Sequence, residues 1–324
     1  MKQNYSSSES ILNEIKQANN ILINVHRNPD LDSIGSATAL YQALTKIFKK
    51  KVTLVCPHEI PENFKFLEGS DKVKVINYSS FDFSSYDLFL IADSGSYDVV
   101  TGDKEIYLPS DIKKIVIDHH QTNNWKDYIS KILDTESSST AEIVYLTFLD
   151  WGVTIDPEIA TSIFAGIAGD TVFFKYEKNA KKTFKIATEL LNLGANKDEI
   201  VEHSFDSFDF GLIQLIGEFL ANIQKGNGYV YSILNNETFI KFGKQRGARE
   251  IVANLFARSI KGFDFGIMAI EYEKDKFAVS FRSKKDTDVS KIAKRFGGGG
   301  HKNAAGATIN GNIDQVIKKI KEII

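Results

Sequence analysis

Acidic and imidazole side chains follow directly after three short apolar segments of the sequence. Residues 21–25 lead into His26, Asp30 and Asp32, residues 88–91 into Asp93, and residues 115–117 into Asp118, His119 and His120. A further acid, Asp170, follows a helical pattern that ends at Gly169. The carboxyl ends of the strands in an open α/β sheet form its ligand crevice. We therefore expect these side chains to converge in space.

Such a convergence predicts a metal site. Four carboxylates in a partly buried crevice would repel one another and lose hydration, which costs several kcal/mol unless a cation compensates. Taken singly, an aspartate at a strand end is more often a cap or turn residue, and a lone histidine is more often a satisfied surface or core group. Together the donors outnumber what one closed tetrahedral site takes and suit two ions that share a bridge, the usual arrangement for hydrolysing phosphate esters. The donors are His26, Asp30, Asp32, Asp93, His119 and Asp170. Carboxylates with one imidazole per ion favour Mn²⁺, with Mg²⁺ or Co²⁺ as alternatives.

The elements that must position these residues can be predicted from the apolar pattern. Short segments that are apolar on both faces, separated by helical patterns, are typical of buried parallel strands. Ser139 with Glu142 three residues later predicts a capped helix start, and Gly194 a helix end. The first half is therefore predicted to be an α/β domain with a parallel sheet. The expected strands are 21–25, 52–55, 73–76, 88–91 and 115–117, and the expected helices are 37–48, 141–149, 157–168 and 182–193.

The pattern changes after residue 195. Residues 196–224 stay helical with an amphipathic stripe, and a glycine-containing turn at 225–228 suggests a boundary. Strands at 229–234, 265–272 and 277–282, with helices at 248–258 and 313–323, predict a smaller α+β domain. The expected organisation is a metal-binding catalytic domain over 1–195, a helical linker over 196–224 and a substrate-binding domain over 225–324.

Charge is divided unevenly along the chain. Residues 225–324 carry 19 Lys and Arg against 10 Asp and Glu, whereas residues 1–224 carry 21 against 32. The asymmetry is compatible with uneven surface charge alone, and it also fits an acidic half that collects cations and a basic half that collects a polyanion. A net charge of -2 favours a short anion over wrapping of long nucleic acid. A single cysteine and the lack of any apolar segment near ~18 residues lead us to expect a cytoplasmic protein with no membrane partner.

The motifs around the donors resemble those of the DHH phosphoesterase superfamily. The resemblance rests on HRNPDLDSIGS at 26–36, Asp93, the Asp118-His119-His120 run and Gly169-Asp170. It extends to VSFRS at 279–283 and GGGGHKNAAG at 297–306, which is similar to the glycine-rich signature of an accompanying substrate-binding domain. Within the superfamily the sequence is most similar to the bifunctional nanoRNases (oligoribonucleases) and pAp phosphatases. Those enzymes degrade very short oligoribonucleotides and remove the 3′-phosphate from adenosine 3′,5′-bisphosphate.

The resemblance implies a role for each donor. His26 and Asp30 would hold one ion, Asp32, His119 and Asp170 the other, and Asp93 would bridge them. His120 would face the substrate, and either stabilise developing charge or protonate the leaving oxygen. Asp118 would lie behind the histidines and fix the tautomer that exposes the ligating nitrogen. Gln121 stands where the family often has a proline, which leaves the local loop conformation open and the ligands unaffected.

The four successive glycines at 297–300 are themselves candidates for binding an anion. Successive glycines can adopt positive φ and direct several backbone N–H groups at an anion, although such a run alone is more often a flexible link. Arg295 before it and Lys302 after it, in a basic domain, favour phosphate binding. Arg282 is a candidate bidentate phosphate partner, and its alternative is an ordinary solvated strand end. The expected substrate-binding residues are Arg282, Gly298, Gly299, Gly300 and His301.

These inferences predict a two-metal phosphoesterase whose partners are short oligoribonucleotides, dinucleotides and nucleotide phosphates such as adenosine 3′,5′-bisphosphate. An inorganic pyrophosphatase of the same superfamily would share the metal ligands, but that branch has a different C-terminal domain, which lacks the GGGGH loop. A linear or cyclic dinucleotide phosphodiesterase and a RecJ-type exonuclease are further alternatives. A non-catalytic nucleotide sensor is disfavoured because a degenerate relative would lose one or more of the acids. From the resemblance alone we also expect that the chain can form a homodimer.

Overall fold

Six parallel strands form the sheet of the first of two units into which the chain divides. The structure, a computed structural model, describes residues 3–245, 247–257, 259–284 and 287–323. The first unit ends at Ser207 and the second begins at Phe208. The domain boundaries expected at residues 195 and 225 remain predictions.

The first unit alternates strands and helices, as the apolar pattern predicts. Its strands follow the order β3-β2-β1-β4-β5-β6, and every neighbouring pair is parallel. Strands β1, β4 and β5 are buried almost throughout, which explains why their segments are apolar on both faces. The elements are α1 (Ser8–Gln17), β1 (Asn20–Asn24), α2 (Leu31–Lys46), β2 (Lys51–Cys56), β3 (Lys74–Val75), β4 (Leu88–Ala92), α3 (Tyr97–Thr101), β5 (Lys113–Asp118), β6 (Ser130–Leu133), α4 (Thr140–Trp151), α5 (Pro157–Asp170), α6 (Ala180–Asn192) and α7 (Lys197–Val201).

The strand order places the predicted donors together. The chain winds outward in one direction through β1, β2 and β3 and in the other through β4, β5 and β6, so the order reverses between β1 and β4. In sheets of this kind ligands bind beyond the carboxyl ends of the strands at this reversal. The three strands that run into His26, Asp93 and the 118–120 segment are the neighbours β1, β4 and β5.

Helices α2 and α5 approach closely because glycines face each other at their contact. A Cβ atom on Gly35 would collide with the Ser162 carbonyl oxygen, and one on Gly169 would lie 2.5 Å from the Cβ of Leu31. A Cβ on Gly166 would lie 2.9 Å from Asp32 Oδ1. The close approach brings the first turn of α2, which carries Asp32, next to the last turn of α5, which carries Asp170.

The second unit contains a mixed sheet of order β11-β12-β10-β9-β8-β7, in which only β8 and β9 pair in parallel. Along the chain, residues 196–224 form α7, a π-helical turn at Glu202–Asp206, helix α8 and the first residue of the short strand β7. The helix expected at 248–258 is α10 followed by a second π-helical turn at Ala253–Ala257, and Arg258 lies outside the described residues. The elements are α8 (Phe210–Ala221), β7 (Gln224–Lys225), β8 (Tyr229–Leu234), α9 (Asn236–Lys241), α10 (Ala248–Val252), β9 (Phe265–Glu273), β10 (Lys276–Ser283), α11 (Val289–Arg295), β11 (Gly299–His301), β12 (Ala304–Asn310) and α12 (Ile313–Ile323). None of the helices in the described ranges combines the length and the apolar character needed to cross a lipid bilayer.

Candidate metal centre

The loops that follow β1 and β4 are tied to each other and to their own helices. The buried Asn24 side chain donates to the Ala92 carbonyl at 3.2 Å and accepts from the Ala92 amide at 2.8 Å. Asp93 then adopts a φ of +52°, a left-handed conformation that aspartate tolerates better than most residues. On the other side, Asp30 caps α2 by accepting from the Ser33 amide at 2.9 Å. These contacts fix the positions at which both loops present their donors.

The predicted donors converge in two groups that meet at Asp93. In the first group, His26 Nε2 lies 3.4 Å from Asp30 Oδ2 and 3.5 Å from Asp93 Oδ2. In the second group, His119 Nε2 lies 3.0 Å from Asp170 Oδ2, 4.0 Å from Asp32 Oδ2 and 3.8 Å from Asp93 Oδ1. The two carboxylate oxygens of Asp93 therefore face different groups, which is the arrangement of a carboxylate shared by two sites.

Backbone carbonyls select the tautomer of both histidines. His26 Nδ1 donates to the Arg27 carbonyl at 2.8 Å, and His119 Nδ1 donates to the Ser137 carbonyl at 3.3 Å. A carbonyl can only accept, so the proton of each neutral ring is on Nδ1 and the Nε2 lone pair faces the carboxylates. His119 Nε2 is buried and, among the described residues, makes no hydrogen bond despite its 3.0 Å distance to Asp170. A buried lone pair aimed at carboxylates suits a divalent cation, so the residues present fit a metal pair.

The pKa shifts within the cluster indicate an excess of buried negative charge. Burial, together with the charges of Asp93 and Asp170, raises the pKa of Asp32 well above its usual range. Burial and the charge of Asp30 raise the pKa of Asp93 to about 6. Burial would lower the pKa of His26, but Asp30 and Asp93 outweigh it and raise this pKa to about 10. Without cations, protons would have to balance the carboxylates, and divalent ions can take their place.

His120 has a different partner from its neighbour. His120 Nδ1 lies 2.7 Å from Asp118 Oδ1, and Asp118 Oδ2 accepts from the Asn123 side-chain amide at 2.7 Å. Burial would lower the pKa of His120, but the hydrogen bond with Asp118 and the charge of Asp93 raise it to about 9. His120 Nδ1 also lies 3.6 Å from Asp93 Oδ1, so His120 lies beside the cluster with its Nδ1 hydrogen-bonded to Asp118.

Asp118 does not orient both histidines as the resemblance implies. It accepts from His120, whereas the Ser137 carbonyl accepts from His119. Asp118 is the last residue of β5, and the chain beyond it brings His120 to the Asp118 carboxylate and His119 to the Ser137 carbonyl. Asp118 and His120 therefore meet, and His119 turns toward the loop before α4.

Sequence reasoning missed four groups, in and just before the first turn of α4, that contact the proposed ligands. Besides the Ser137 carbonyl, the Thr140 hydroxyl donates to Asp93 Oδ1 at 2.9 Å, and the Thr140 and Ala141 amides donate to the two oxygens of Asp32 at 2.7 and 2.9 Å. The predicted helix cap is confirmed, since the Ser139 hydroxyl accepts from the Glu142 amide at 3.1 Å. The run of hydroxyl residues at 137–140 is a sequence signal, but most of the contacts involve backbone atoms, which carry no residue signature.

The glycine run of the second unit forms part of a hairpin. Gly297 and Gly298 donate their amides to the carbonyls of Lys294 and Ala293 at the end of α11, so these two N–H groups are already engaged. A Cβ on Gly298 would collide with the Gly306 carbonyl oxygen, and one on Gly300 would lie 2.6 Å from the Ala304 carbonyl oxygen. Close pairing of β11 with β12 thus gives these glycines a structural reason beside the predicted binding role, which stays a prediction.

Arg282 and the backbone of His301 lie in one row of the second sheet. Both pair with Ala304, the first from β10 and the second from β11. Arg282 Nε donates to Asn254 Oδ1 at 2.6 Å, and Nη1 donates to the Phe281 carbonyl at 3.1 Å. Burial and the charge of Arg282 lower the pKa of Arg249 to about 10, and Arg249 forms an ion pair with Glu250. The His301 side chain lies outside the described part of the chain.

Two family models match this chain. Residues 20–167 match the DHH family, N-terminal domain, and residues 226–324 match the DHHA1 domain. The first range contains the HRNPDLDSIGS motif and the segment of Asp118, His119 and His120, and the second contains the GGGGH run. Order and position agree with the motifs that carry the resemblance.

Similar proteins cover nearly the whole chain. It is 28% identical over 306 residues to the bifunctional oligoribonuclease and PAP phosphatase NrnA of Bacillus subtilis, with 92% of each chain aligned. The Thermus thermophilus protein of the same name is 28% identical over 314 residues, covering 94% of this chain and 89% of that protein. Among solved structures, an exopolyphosphatase-related protein from Bacteroides fragilis matches with a TM-score of 0.90 at 26% identity, over 98% of this chain and 95% of that chain.

Proposed function

Since this chain belongs to the DHH family, with a DHH N-terminal domain followed by a DHHA1 domain, we propose that it is a two-metal phosphoesterase acting on short oligoribonucleotides and adenosine 3′,5′-bisphosphate. One observation carries the proposal, namely that the two oxygens of Asp93 face two separate groups of donors. The relatives named as oligoribonuclease and PAP phosphatase supply the substrate class.

The chain's own residues would hold the metal pair in the way the resemblance implies. His26 and Asp30 would bind one ion, Asp32, His119 and Asp170 the other, and Asp93 both. Ligand atoms of His26, Asp30 and Asp93 lie within 4.8 Å of one another, and so do those of Asp32, His119 and Asp170. Mn²⁺ is the proposed ion because carboxylates predominate and thiolates are lacking among the donors. When bound, such a pair lowers the pKa of water and stabilises the charge of phosphoryl oxygens.

His120 is proposed to supply the proton for the leaving oxygen. Asp118 accepts from its Nδ1 and favours the imidazolium form, which then carries a second proton on Nε2. Transfer of that proton would leave a neutral imidazole whose remaining proton stays on Nδ1. A general acid of this kind contributes roughly 10²–10⁴-fold to a rate.

In the second unit, Arg282, Gly299, Gly300 and His301 are proposed to bind a substrate phosphate, beside Gly298, whose own amide already donates to the Ala293 carbonyl. The pairing of β10, β12 and β11, which places Arg282 in the row of His301, supports this assignment. We further propose a cytoplasmic location, because the single cysteine, Cys56, is a buried thiol suited to a reducing compartment. A homodimer, which the resemblance implies, would be checked by the mass of the protein in solution.

The test is an assay of the purified protein with Mn²⁺ on adenosine 3′,5′-bisphosphate, a ribodinucleotide series and inorganic pyrophosphate. We expect hydrolysis of the first two and little of the third. Preference for pyrophosphate would contradict the proposal and favour the pyrophosphatase alternative. Two bound ions without hydrolysis of any of these compounds would indicate a nucleotide sensor.

Linear and cyclic dinucleotides belong in the same series. A dinucleotide phosphodiesterase would cleave these and leave adenosine 3′,5′-bisphosphate intact, because it would share the metal centre and differ in the substrate contacts. Cleavage of the bisphosphate at its 3′-phosphate is therefore the result that separates the two functions.

A further inference from the structure

The segment from Ser137 to Ala141 contacts three of the six proposed metal ligands. The Ser137 carbonyl accepts from His119, the Thr140 hydroxyl donates to Asp93, and the Thr140 and Ala141 amides donate to Asp32. These ligands come from three separate parts of the fold: the start of α2, the end of β4 and the end of β5. One short segment therefore sets the positions of ligands that the chain delivers independently.

Thr140 is the central residue of this segment. Its hydroxyl contacts Asp93 Oδ1 at 2.9 Å and its amide contacts Asp32 Oδ2 at 2.7 Å, so one residue touches the proposed bridge and a ligand of one ion. Asp32 and Asp93 are 0% and 2% exposed, which means that water cannot replace a lost donor easily. Removal of the Thr140 hydroxyl would therefore leave Asp93 Oδ1 without this buried hydrogen bond.

The segment is itself held from two sides. Ser139 caps α4 through the Glu142 amide, and Glu142 Oε2 accepts from the Ser138 amide at 3.1 Å. From α6, Lys182 Nζ donates to Ser137 Oγ at 2.6 Å and to Asp134 Oδ2 at 3.1 Å. Lys182 therefore fixes the residue whose carbonyl orients His119.

We propose that Thr140 and Lys182 are positioning residues for the metal pair: Thr140 fixes the Asp93 bridge, and Lys182 fixes His119 through Ser137. The inference rests on the proposed function only in that the cluster binds two divalent ions, and it does not depend on the substrate. Loss of a hydrogen-bond partner behind a metal ligand typically weakens metal binding by about 10–100-fold.

The test compares three variants by Mn²⁺ titration calorimetry and by electron paramagnetic resonance, without substrate. Thr140→Val keeps the side-chain shape and removes the donor, and we expect roughly 10–100-fold weaker Mn²⁺ binding and loss of the spectrum of coupled ions. Thr140→Ser keeps the hydroxyl and should retain both. Thr147→Val is the matched control, because Thr147 is a buried threonine on the same helix whose hydroxyl has no hydrogen-bond partner among the described residues.

Two Mn²⁺ ions bound by Thr140→Val with the affinity and spectrum of the unmodified protein would overturn the role of Thr140. Equal weakening in Thr147→Val would also overturn it, since the effect would then belong to the helix as a whole. If the unmodified protein bound no Mn²⁺, the proposed function would fail as well as this inference. If the unmodified protein binds two ions and the variants do not differ from it, only this inference fails.

A second pair of variants keeps the test valid if circular dichroism shows that Thr140→Val does not fold. Lys182→Met removes the ammonium group that holds Ser137, and we expect one of the two Mn²⁺ ions to bind more weakly by about 10-fold or more. Lys181→Met changes the exposed neighbour on α6 and should bind both ions normally. Normal binding of both ions by Lys182→Met would overturn the inference for His119.

Discussion

At the scale of single residues, two adjacent histidines acquire different properties from different partners. His119 donates to a backbone carbonyl and directs an unprotonated nitrogen into the carboxylates. Burial would lower the pKa of His120, but the hydrogen bond with the Asp118 carboxylate and the nearby negative charges outweigh burial and raise this pKa to about 9. A ring whose Nε2 lone pair faces carboxylates suits a metal ligand, and a charged ring suits a proton donor. We therefore propose different roles for the two imidazole groups of this tripeptide.

Replacing His120 separates these roles. His120→Ala should leave two Mn²⁺ ions bound and lower kcat by about 10²–10⁴-fold, because a transition-state contact is lost and a ligand is not. Titration calorimetry with Mn²⁺ and steady-state kinetics on a ribodinucleotide measure both quantities. Loss of an ion in this variant would mean that His120 is also a ligand, which its 3.6 Å distance from Asp93 Oδ1 would then explain.

Replacing the proposed bridge should have a broader effect. Asp93→Ala removes a carboxylate that faces both donor groups, so we expect loss of catalysis and of tight binding of both ions. Metal analysis after gel filtration gives the number of ions per chain. Two ions per chain with activity retained would refute the assignment of Asp93 as the bridge.

The sequence predicts the proposed donors because each is a charged or imidazole side chain at the end of an apolar segment. It does not predict the groups that hydrogen-bond to these donors. The Ser137 carbonyl and the amides of Thr140 and Ala141 act through backbone atoms that every residue possesses. Only the fold decides where such atoms lie, so a motif search cannot find them.

At the scale of elements, the site depends on how closely α2 and α5 approach. Gly166→Ala would place a Cβ 2.6 Å from the Ala141 Cβ and 2.9 Å from Asp32 Oδ1, and both neighbours are buried. We expect a lower melting temperature and weaker Mn²⁺ binding, because the backbone must shift at the place where Asp32 receives its hydrogen bonds. Differential scanning fluorimetry with and without Mn²⁺ measures both effects.

Gly217→Ala supplies the matched control on another helix. A Cβ at Gly217, on α8, meets no heavy atom of the described residues within 4 Å. Alanine there should be neutral or stabilise the protein by up to about 1 kcal/mol, because it favours the helix over the unfolded chain. A similar loss of stability in both variants would show that the effect at Gly166 comes from placing alanine in a helix and not from the crowded contact.

The sequence predicted the strands whose apolar residues form uniform or alternating segments, and it missed strands that lack such segments. Strands β1, β2, β4 and β5 were predicted within a few residues, whereas β6 is only four residues long and β12 reads AAGATIN. Small residues give no alternation to recognise. The glycine run was read as a loop because glycine is typical of loops, but part of it pairs with β12, where there is no room for side chains.

At the scale of the whole molecule, the sign of the charge differs along the chain. Residues 225–324 carry an excess of bases, and the rest carries an excess of acids that includes the proposed metal ligands. A basic region of this size can bind one terminal phosphate. Proteins that hold extended single strands use a long positive surface instead.

This division leads to a prediction about substrate length. Binding of a terminal phosphate stabilises the complex equally for short and long strands, whereas each added nucleotide meets a chain whose net charge is -2. Added nucleotides therefore release few counterions and gain little affinity. We expect kcat/KM to be highest for about two to five nucleotides and to fall with length. Replacing Arg282 should raise KM most for the shortest strands, because these have the fewest other contacts.

A length series of RNA from dinucleotides to strands of about 20 nucleotides, assayed with Mn²⁺, decides the question. An enzyme of the RecJ type would hold or improve its efficiency on long strands, since every additional phosphate would contribute to binding along an extended basic groove. A rise in kcat/KM along the series would therefore rule out the preference for short substrates. Repeating the series at higher salt sharpens the comparison, because binding that depends on many phosphates weakens steeply with salt and binding of one terminal phosphate weakens only slightly.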